Sequence, residues 1–322
     1  FSTLGWNPTN DLPEISTCTT CSFSEDFSNY WTAVVYFKHQ NGTFERVPQR
    51  PKEVLGPANG GMTVYYIQPD DSNKTVTSFK KGFRMIVGDP MTRTFNESSP
   101  EANNLNFRCL GPGGTNGGVT GAPGTDSRGL PATPCEGGIR SQIIFPSCWD
   151  GVNLDTPNHK SHMRYPSGGE CPSSHPVVVP TIFIETIWDT TQFNTLWPVG
   201  EPQPFLYSMG DPTGFGQHAD YVFGWEGDSL QRAMDQCRSR DLGTPCPTLK
   251  TQSVEDINRC TQKSRVREPV DGVLPELPGC NPIQPGPARA TIVPNCSATK
   301  DYDVDGGPIG GRPVPPPVPS SS

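Results

Sequence analysis

The chain has 322 residues, of which 34 are glycine and 37 are proline, and only 33% are hydrophobic. This composition favours turns and loops over long helices, and the net charge of -8 excludes the clustered basic field that a nucleic-acid partner requires. No apolar run of about 18 residues occurs, so we expect no membrane span.

Short segments rich in aromatic and β-branched residues predict the strands. In chain order they are residues 30–37, 62–67, 83–87, 142–145, 181–188 and 221–225. Turn-forming Asn41-Gly42 and Gly60-Gly61 bound the first two segments. Because short strands with Gly- and Pro-rich connections are typical of packed sheets, the sequence predicts a mainly β fold. We expect an antiparallel, jelly-roll-like β-sandwich with long disulfide-stapled loops and a few short helices.

The remaining segments predict loops, two helices and a tail. Residues 111–129 are glycine-rich and predict a mobile surface loop. Helices are predicted at residues 228–237 and 253–260, where an N-cap residue starts each segment. We assign residues 1–300 to one β-rich domain and residues 301–322 to a Pro/Gly/Ser-rich linker or tail. The tail reads either as a spacer to another module or as a disordered terminus.

Cysteines and sequons indicate a secreted protein. The chain has 11 cysteines and a single Cys-x-x-Cys pair, Cys18 and Cys21, which favours disulfides over structural zinc. An odd count implies a free thiol, an intermolecular bridge or a missing partner cysteine, and we expect a missing partner upstream of Phe1. N-glycosylation is predicted at the four sequons, which are Asn41, Asn73, Asn96 and Asn295.

Histidines in loops are the leading candidates for a functional site. The candidate catalytic residues are His159, His162, His175 and His218, with Asp150 and Asp220 assisting. Asp220 is placed to orient the His218 ring for base catalysis; the alternative is that it caps a turn.

A divalent metal is a second interpretation of the same segment. His159, His162 and His175 would suit zinc or copper, whereas the oxygens of Asp150, Asn153 and Asp155 would suit calcium. The alternative is that these histidines only hydrogen-bond loops together.

Polysaccharide chemistry offers two reaction types. A glycoside hydrolase needs two carboxylates, and the candidates are Asp150, Asp155, Asp189, Asp211, Asp220 and Glu185. A lyase needs a His or Tyr base and a cation, and His159, His162, Tyr165 and Lys160 are local candidates. For stacking on sugars the sequence offers Trp149, Trp188, Trp197 and Trp225. No Gly-x-Ser-x-Gly elbow supports a serine hydrolase.

Several blocks resemble a family of fungal secreted domains of unknown function. The blocks are Cys18-Thr-Thr-Cys21, Gly82-Phe-Arg-Met, Phe145-Pro-Ser-Cys-Trp-Asp-Gly-Val-Asn-Leu-Asp155, Ser173-Ser-His-Pro176, Tyr207-Ser-Met-Gly-Asp-Pro212, Gly216-Gln-His218 and Asp228-Ser-Leu-Gln. Members are often joined to WSC carbohydrate-binding modules, so the resemblance implies a cell-wall or polysaccharide context without an established reaction. Members usually carry a His-x-His block and a cysteine upstream of the point where this chain begins.

The leading hypothesis is therefore a secreted carbohydrate-active protein that acts on fungal-wall or plant polysaccharide as a hydrolase or lyase. The site would be the loop-borne His/Asp group, with a divalent metal (Ca, Zn or Cu) as an option. The alternative hypothesis is a non-catalytic protein that binds polysaccharide or builds the cell wall. It rests on the Pro/Ser tail and the Gly-rich loop, and on the lack of a recognised catalytic motif.

Overall fold

The structure is a computed structural model that describes residues 11–51, 60–69, 74–112, 123–237, 246–262 and 268–293. The predicted tail at 301–322 and the sequons at Asn73 and Asn295 lie outside these ranges. Within them the fold is mainly β with antiparallel sheets and a few short helices, as predicted. The jelly-roll arrangement is not confirmed.

The strands are short, and most are joined by irregular loops. In the first half of the chain they are β1 Asn29–Thr32, β2 Val35–Lys38, β3 Phe44–Arg46, β4 Gln49–Arg50, β5 Met62–Ile67, β6 Arg84–Gly88, β7 Leu105–Leu110 and β8 Gly124–Ser127. In the second half they are β9 Ile139–Ile144, β10 Cys148–Trp149, β11 Met163–Arg164, β12 Val177–Val178, β13 Thr181–Trp188, β14 Phe205–Tyr207, β15 His218–Val222 and β16 Val273–Leu274.

The α-helices are α1 Leu12–Ile15, α2 Pro100–Asn103, α3 Ser229–Gln236 and α4 Val254–Arg259. Both late helices were predicted, and the Ser253 side chain caps α4 by accepting a hydrogen bond from the Asp256 amide. A 3-10 helix spans Thr191–Leu196. No helix in the described residues is long and apolar enough to cross a membrane.

The strands of the described ranges form four antiparallel sheets. The largest has the order β4-β13-β9-β7-β8, with β5 also pairing with β13. A three-stranded sheet has the order β1-β15-β6, a four-stranded sheet has the order β14-β2-β3-β16, and a small sheet has the order β11-β10-β12. The functional candidates lie around the three-stranded sheet.

One hydrophobic core lies between the six-stranded sheet and the three-stranded sheet. It packs β6 and β15 against β9, β13 and α3, through residues such as Met85, Tyr221, Ile143, Ile184 and Leu230. A second cluster packs β2 and β14 on the other part of the large sheet, around Phe37, Phe205 and Trp188. Because each strand alternates its side chains, the opposite faces of these two sheets carry other residues, in which polar groups such as Asp220 and Glu185 lie beside apolar ones.

Two sequence predictions need correction. Residues 30–37 are not one strand, because β1 pairs with β15 whereas β2 pairs with β3 and β14, and the chain changes sheet at Ala33-Val34. The predicted loop at 111–129 lies outside the described residues at 113–122, and its described part contains β8, which pairs with β7 and is held there by the bidentate contact of Arg108 with Asp126.

Four disulfides connect the described loops and helices. They join Cys18 to Cys260, Cys109 to Cys135, Cys148 to Cys171 and Cys237 to Cys246. Cys260, which follows α4, is bonded to Cys18 near the start of the described chain, whereas Cys237, which follows α3, closes a local loop with Cys246. Cys21 is the free thiol among the described cysteines. These bridges are compatible with an extracellular protein.

Asn41 is exposed at the tip of the β2–β3 hairpin, where its Oδ1 accepts hydrogen bonds from the Thr43 amide and hydroxyl. We predict that a eukaryotic secretory host attaches a glycan there, because nothing described covers the amide. The Asn41→Gln variant should lose the mass of one glycan in intact-protein mass spectrometry. Thr43→Ser is the control, since it preserves the sequon. An unchanged glycan mass in Asn41→Gln would refute the prediction.

Candidate functional site

One face of the three-stranded sheet carries the candidate site. Trp31 of β1 and Ile86 of β6 lie directly opposite Asp220 of the central strand β15. Directly paired residues share a face, and so do residues two apart on one strand, so His218 and Arg84 lie on this face too. We call it the site face. Tyr221 and Met85 lie on the reverse side and belong to the core.

His218 is buried on the site face with one ring nitrogen in use. Its Nδ1 donates to the Gly216 carbonyl at 2.8 Å, and its ring centroid lies 5.2 Å from that of Trp31. No described residue hydrogen-bonds Nε2. Burial lowers the pKa of the His218 ring, so the neutral form is favoured. The prediction that Asp220 orients this ring is wrong, because the Gly216 carbonyl does so.

Asp220 has only 6% of its surface exposed. Its carboxylate has no hydrogen-bond donor among the described residues, which is unusual for a buried charge. Burial raises the pKa of the Asp220 carboxyl to about 6. The group therefore holds a proton through a pH range in which an ordinary aspartate has lost it.

His159 belongs to the 150–162 loop, which lies along the free edge of β6. Its carbonyl accepts a hydrogen bond from the Ile86 amide, and its Nδ1 donates to Asp155 Oδ1 at 2.6 Å. The other oxygen of Asp155 accepts from Arg84 Nε, also at 2.6 Å. Burial alone would raise the pKa of Asp155, but the His159 and Arg84 hydrogen bonds lower it. The carboxylate thus stays ionised and fixes the His159 ring.

The backbone of His159 supports its functional assignment. Its φ of 54° is the one positive value among the described non-glycine residues. Such conformations are uncommon for side-chain-bearing residues and concentrate at functional sites. A cavity of about 50 Å³ lies between His159, Arg84 and Ile86. No described residue hydrogen-bonds His159 Nε2.

His162 and His175 have structural roles in the described contacts. His162 is fully buried, and its two nitrogens contact the Thr156 hydroxyl and the Arg84 carbonyl. His175 uses both ring nitrogens on the Ser174 hydroxyl and the Ser161 carbonyl. No three His, Cys, Asp or Glu side chains of the described chain are arranged to hold a metal ion. The predicted ligand set of His159, His162 and His175 is therefore not gathered at one point.

The other local candidates are also held by contacts. Asp150 accepts from the amides of Val152 and Asn153 and so closes its own turn. Lys160 Nζ lies 2.6 Å from Glu101 Oε1. The Tyr165 hydroxyl donates to the Ile144 carbonyl, and burial raises its pKa, so it is a poor base.

The remaining carboxylates and tryptophans lie elsewhere. Asp211 is fully buried beside Arg93, Glu185 pairs with Arg140 on the large sheet, and Asp189 contacts Arg50. The four predicted stacking residues, Trp149, Trp188, Trp197 and Trp225, are all core residues. Among the tryptophans in the described ranges, the exposed one is instead Trp31, which is 38% exposed and borders Asp220. Sequence reasoning missed it, together with Arg84.

A larger cleft of about 400 Å³ lies around the Cys18–Cys260 disulfide. Its walls carry the Thr17, Thr19 and Ser24 hydroxyls and the exposed ion pair of Asp256 with Arg259. No histidine and no carboxyl of raised pKa lines it, so it offers no acid and base pair. We therefore centre the candidate site on the site face.

Comparison with known proteins gives a family and no activity. A family model described as a domain of unknown function, DUF1996, matches residues 3–225. This range includes every residue of the site face and the 150–162 loop. No curated protein matches the chain, and no solved structure matches it.

Proposed function

Because the chain belongs to the DUF1996 family of domains of unknown function, we propose its function from the site itself: it is a secreted protein that cleaves polysaccharide by acid and base catalysis on the site face. The observation that carries this proposal is Asp220, a buried carboxyl of raised pKa beside an oriented histidine and an exposed tryptophan. A carboxyl whose pKa is raised by burial is the usual form of a general acid in such sites.

Asp220 acts as the general acid. Cleavage of a glycosidic bond requires a proton on the departing oxygen, and a carboxylic acid of raised pKa supplies it near neutral pH. With a pKa of about 6, Asp220 is protonated in a large fraction of molecules in mildly acidic medium. The proton is not shared with any described acceptor, so it remains available to the substrate.

His159 acts as the base. Asp155 fixes the tautomer in which Nδ1 carries the proton, and this leaves Nε2 with a lone pair. Arg84 in turn hydrogen-bonds Asp155, so the base, its orienting carboxylate and the guanidinium form one hydrogen-bonded chain. In hydrolysis His159 would activate water, and in elimination it would take the proton next to a uronate carboxylate. Asp220 serves the leaving oxygen in both reactions.

Trp31 provides the surface on which a sugar ring stacks. An indole presents a broad apolar face with a polar edge, which matches the C–H face of a pyranose ring. Its register opposite Asp220 puts a bound sugar beside the acid. The disulfides and the exposed sequons at Asn41 and Asn96 support a secreted location for this activity, and the resemblance to wall-associated domains supports the substrate class.

The proposal predicts that His159→Asn cleaves about 100-fold to 10,000-fold more slowly than the wild type, the usual contribution of a general base. Asparagine tolerates the left-handed backbone of this position, so the loop should keep its shape. The measurement is product formation on a panel of wall and plant polysaccharides, with reducing ends and unsaturated ends scored separately. The ratio of the two products distinguishes hydrolysis from elimination.

His39→Asn is the matched control, because His39 lies on the β2–β3 hairpin and contacts Glu45. It should cleave at the wild-type rate. A parallel series with chelator tests the metal interpretation, and an activity that requires added metal would contradict a purely acid and base site. Absence of new chain ends on every polysaccharide would reject the enzymatic proposal and favour a binding protein.

A further inference from the structure

The cleft beside the Cys18–Cys260 disulfide is a second concave surface, separate from the site face. Its volume of about 400 Å³ falls within the range of about 300 to 1,000 Å³ that is usual for small-molecule sites. One wall is formed by residues 16–27 and the other by residues 252–260, which include α4. Every residue that lines it is at least partly exposed. We call it the disulfide cleft.

The two walls are held together by several contacts. The disulfide links them covalently, and the side-chain amide of Gln252 donates to the carbonyls of Thr19 and Cys21. Just beyond the cleft, Phe23 forms an antiparallel β-bridge with Thr251. Because these contacts fix the walls before a ligand arrives, little conformational entropy is lost on binding.

Phe27 supplies the apolar part of the disulfide cleft. Its side chain is half-buried, yet it belongs to none of the hydrophobic clusters formed by the described residues. The described contacts also give it no ring partner. Its position is set by the backbone, since its amide donates to the Gly224 carbonyl at 2.9 Å. The ring therefore offers an apolar surface to whatever enters the cleft.

The rest of the cleft is polar without a net charge. Asp256 pairs with Arg259 through Oδ1 and Nη2, and the Arg259 side chain is 75% exposed. Hydrogen bonds from Ser253 and Arg259 lower the pKa of Asp256, so its carboxylate stays ionised and can accept further hydrogen bonds. The hydroxyls of Ser16 and Thr17 line the cleft and have no described hydrogen-bond partner.

These walls identify the ligand class. An anionic ligand would meet the carboxylate of Asp256 as well as the guanidinium of Arg259. A lipid would meet walls made mostly of hydroxyl, amide and charged groups, whose burial without partners is unfavourable. A neutral sugar fits both constraints, because its hydroxyl groups donate to a carboxylate and accept from a guanidinium. Its C–H face suits an aromatic ring.

We propose that the disulfide cleft binds a neutral mono- or disaccharide unit, such as the free end of a glycan chain. The sugar lies against Phe27, and its hydroxyl groups exchange hydrogen bonds with Asp256, Arg259, Ser16 and Thr17. The cleft shares no residue with the site face, so this assignment goes beyond the proposed cleavage and does not depend on it. The cleft has no acid and base pair, so it binds the sugar without cleaving it.

The test is calorimetric titration of the protein with the neutral disaccharides cellobiose, laminaribiose and diacetylchitobiose. Glucose 6-phosphate and galacturonate are the anionic comparisons. Arg259→Ala should bind the preferred disaccharide at least about tenfold more weakly than the wild type, and its exposed position lets the variant fold. Phe27→Leu, which loses the ring but keeps an apolar side chain, should weaken binding to the same extent. Arg46→Ala is the matched control, because Arg46 makes an exposed ion pair with Asp271.

Each outcome decides the inference. Weaker binding by both cleft variants, with Arg46→Ala unchanged, supports the disulfide cleft. Wild-type affinity in either cleft variant overturns it, and so does loss of all binding in Trp31→Ala, which would put the sugar on the site face. Failure of all three disaccharides to bind the wild type, or tighter binding of an anionic sugar, also overturns it. Polysaccharide cleavage by the same variants tests the proposed function separately, because cleavage can fail while the cleft still binds.

Discussion

Asp220→Asn is expected to abolish polysaccharide cleavage and, at the same time, to stabilise the protein. Loss of the general acid should lower the cleavage rate about 100-fold to 10,000-fold. The stability gain follows from burial of the carboxylate without a described donor. At pH 8 we expect the free energy of unfolding to rise by about 1 to 3 kcal/mol, because a neutral amide is less costly to bury than a charge.

The pH dependence fixes the sign of this effect. The folded pKa of Asp220 is about 6, above the value of about 3.9 in an unfolded chain. Between these two pKa values the folded protein binds the proton more tightly than the unfolded chain does. The ionised Asp220 side chain therefore destabilises the fold by its full amount above pH 6, and this destabilisation disappears as the pH falls toward 4. Denaturant titrations at pH 8 and pH 4 should therefore show a large gain for Asp220→Asn at the first pH and little at the second.

Asp271→Asn is the matched control, because Asp271 is exposed and contacts Arg46 on the surface. It should change neither cleavage nor stability measurably, as is usual for surface ion pairs. If Asp220→Asn were active, the proton would have to come from another group. If the stability gain of Asp220→Asn over the wild type were smaller at pH 8 than at pH 4, the Asp220 carboxyl would not be the buried acid described above.

Arg93→Met is expected to lower the free energy of unfolding by about 3 to 5 kcal/mol, the usual cost of removing one partner of a buried ion pair. Arg93 and Asp211 are both fully buried, with Nε and Oδ1 3.5 Å apart. The guanidinium also donates to the carbonyls of Gln284, Pro90 and Thr92. Methionine fills similar space but leaves Asp211 charged and the Gln284 carbonyl without its donor.

The measurement is the shift of the urea unfolding midpoint, compared with Arg46→Met. Arg46 makes an exposed ion pair of similar length with Asp271, so its removal should cost less than about 1 kcal/mol. If Arg93→Met lost no more unfolding free energy than Arg46→Met, the Asp211 charge would have to be neutralised in some other way. Because Arg93 reaches Gln284, the variant should also expose the 284–293 segment to protease before global unfolding.

Local patterns in the sequence were enough to predict several strands. β5 and β13 match their predicted ranges because both are rich in β-branched and aromatic residues. The run at 30–37 looks the same, yet it belongs to two sheets. A continuous apolar run predicts extended chain, but it carries no information about which neighbour each half will pair with.

The site was only partly predictable for the same reason. Asp155 and His159 lie four residues apart in one loop, whereas Arg84 is 71 residues away and its role depends on the tertiary fold. His218 and Asp220 looked like a pair because they are close in sequence. Strand alternation does place residues two apart on the same face, but they are about 6.6 Å apart along the strand, and the His218 ring bonds the nearer Gly216 carbonyl instead. His162 and His175 hydrogen-bond loops together, which is the alternative that the sequence analysis left open for the histidines.

The bond between Cys18 and Cys260, 242 residues apart, turns most of the protein into a covalent ring. A single protease cut in any loop between these cysteines opens the ring without releasing a fragment. The nicked molecule keeps its ends tethered and can hold its fold, since the two new termini stay within reach of their partners. Among secreted proteases such a chain would persist as one particle, and the damage would appear only after reduction.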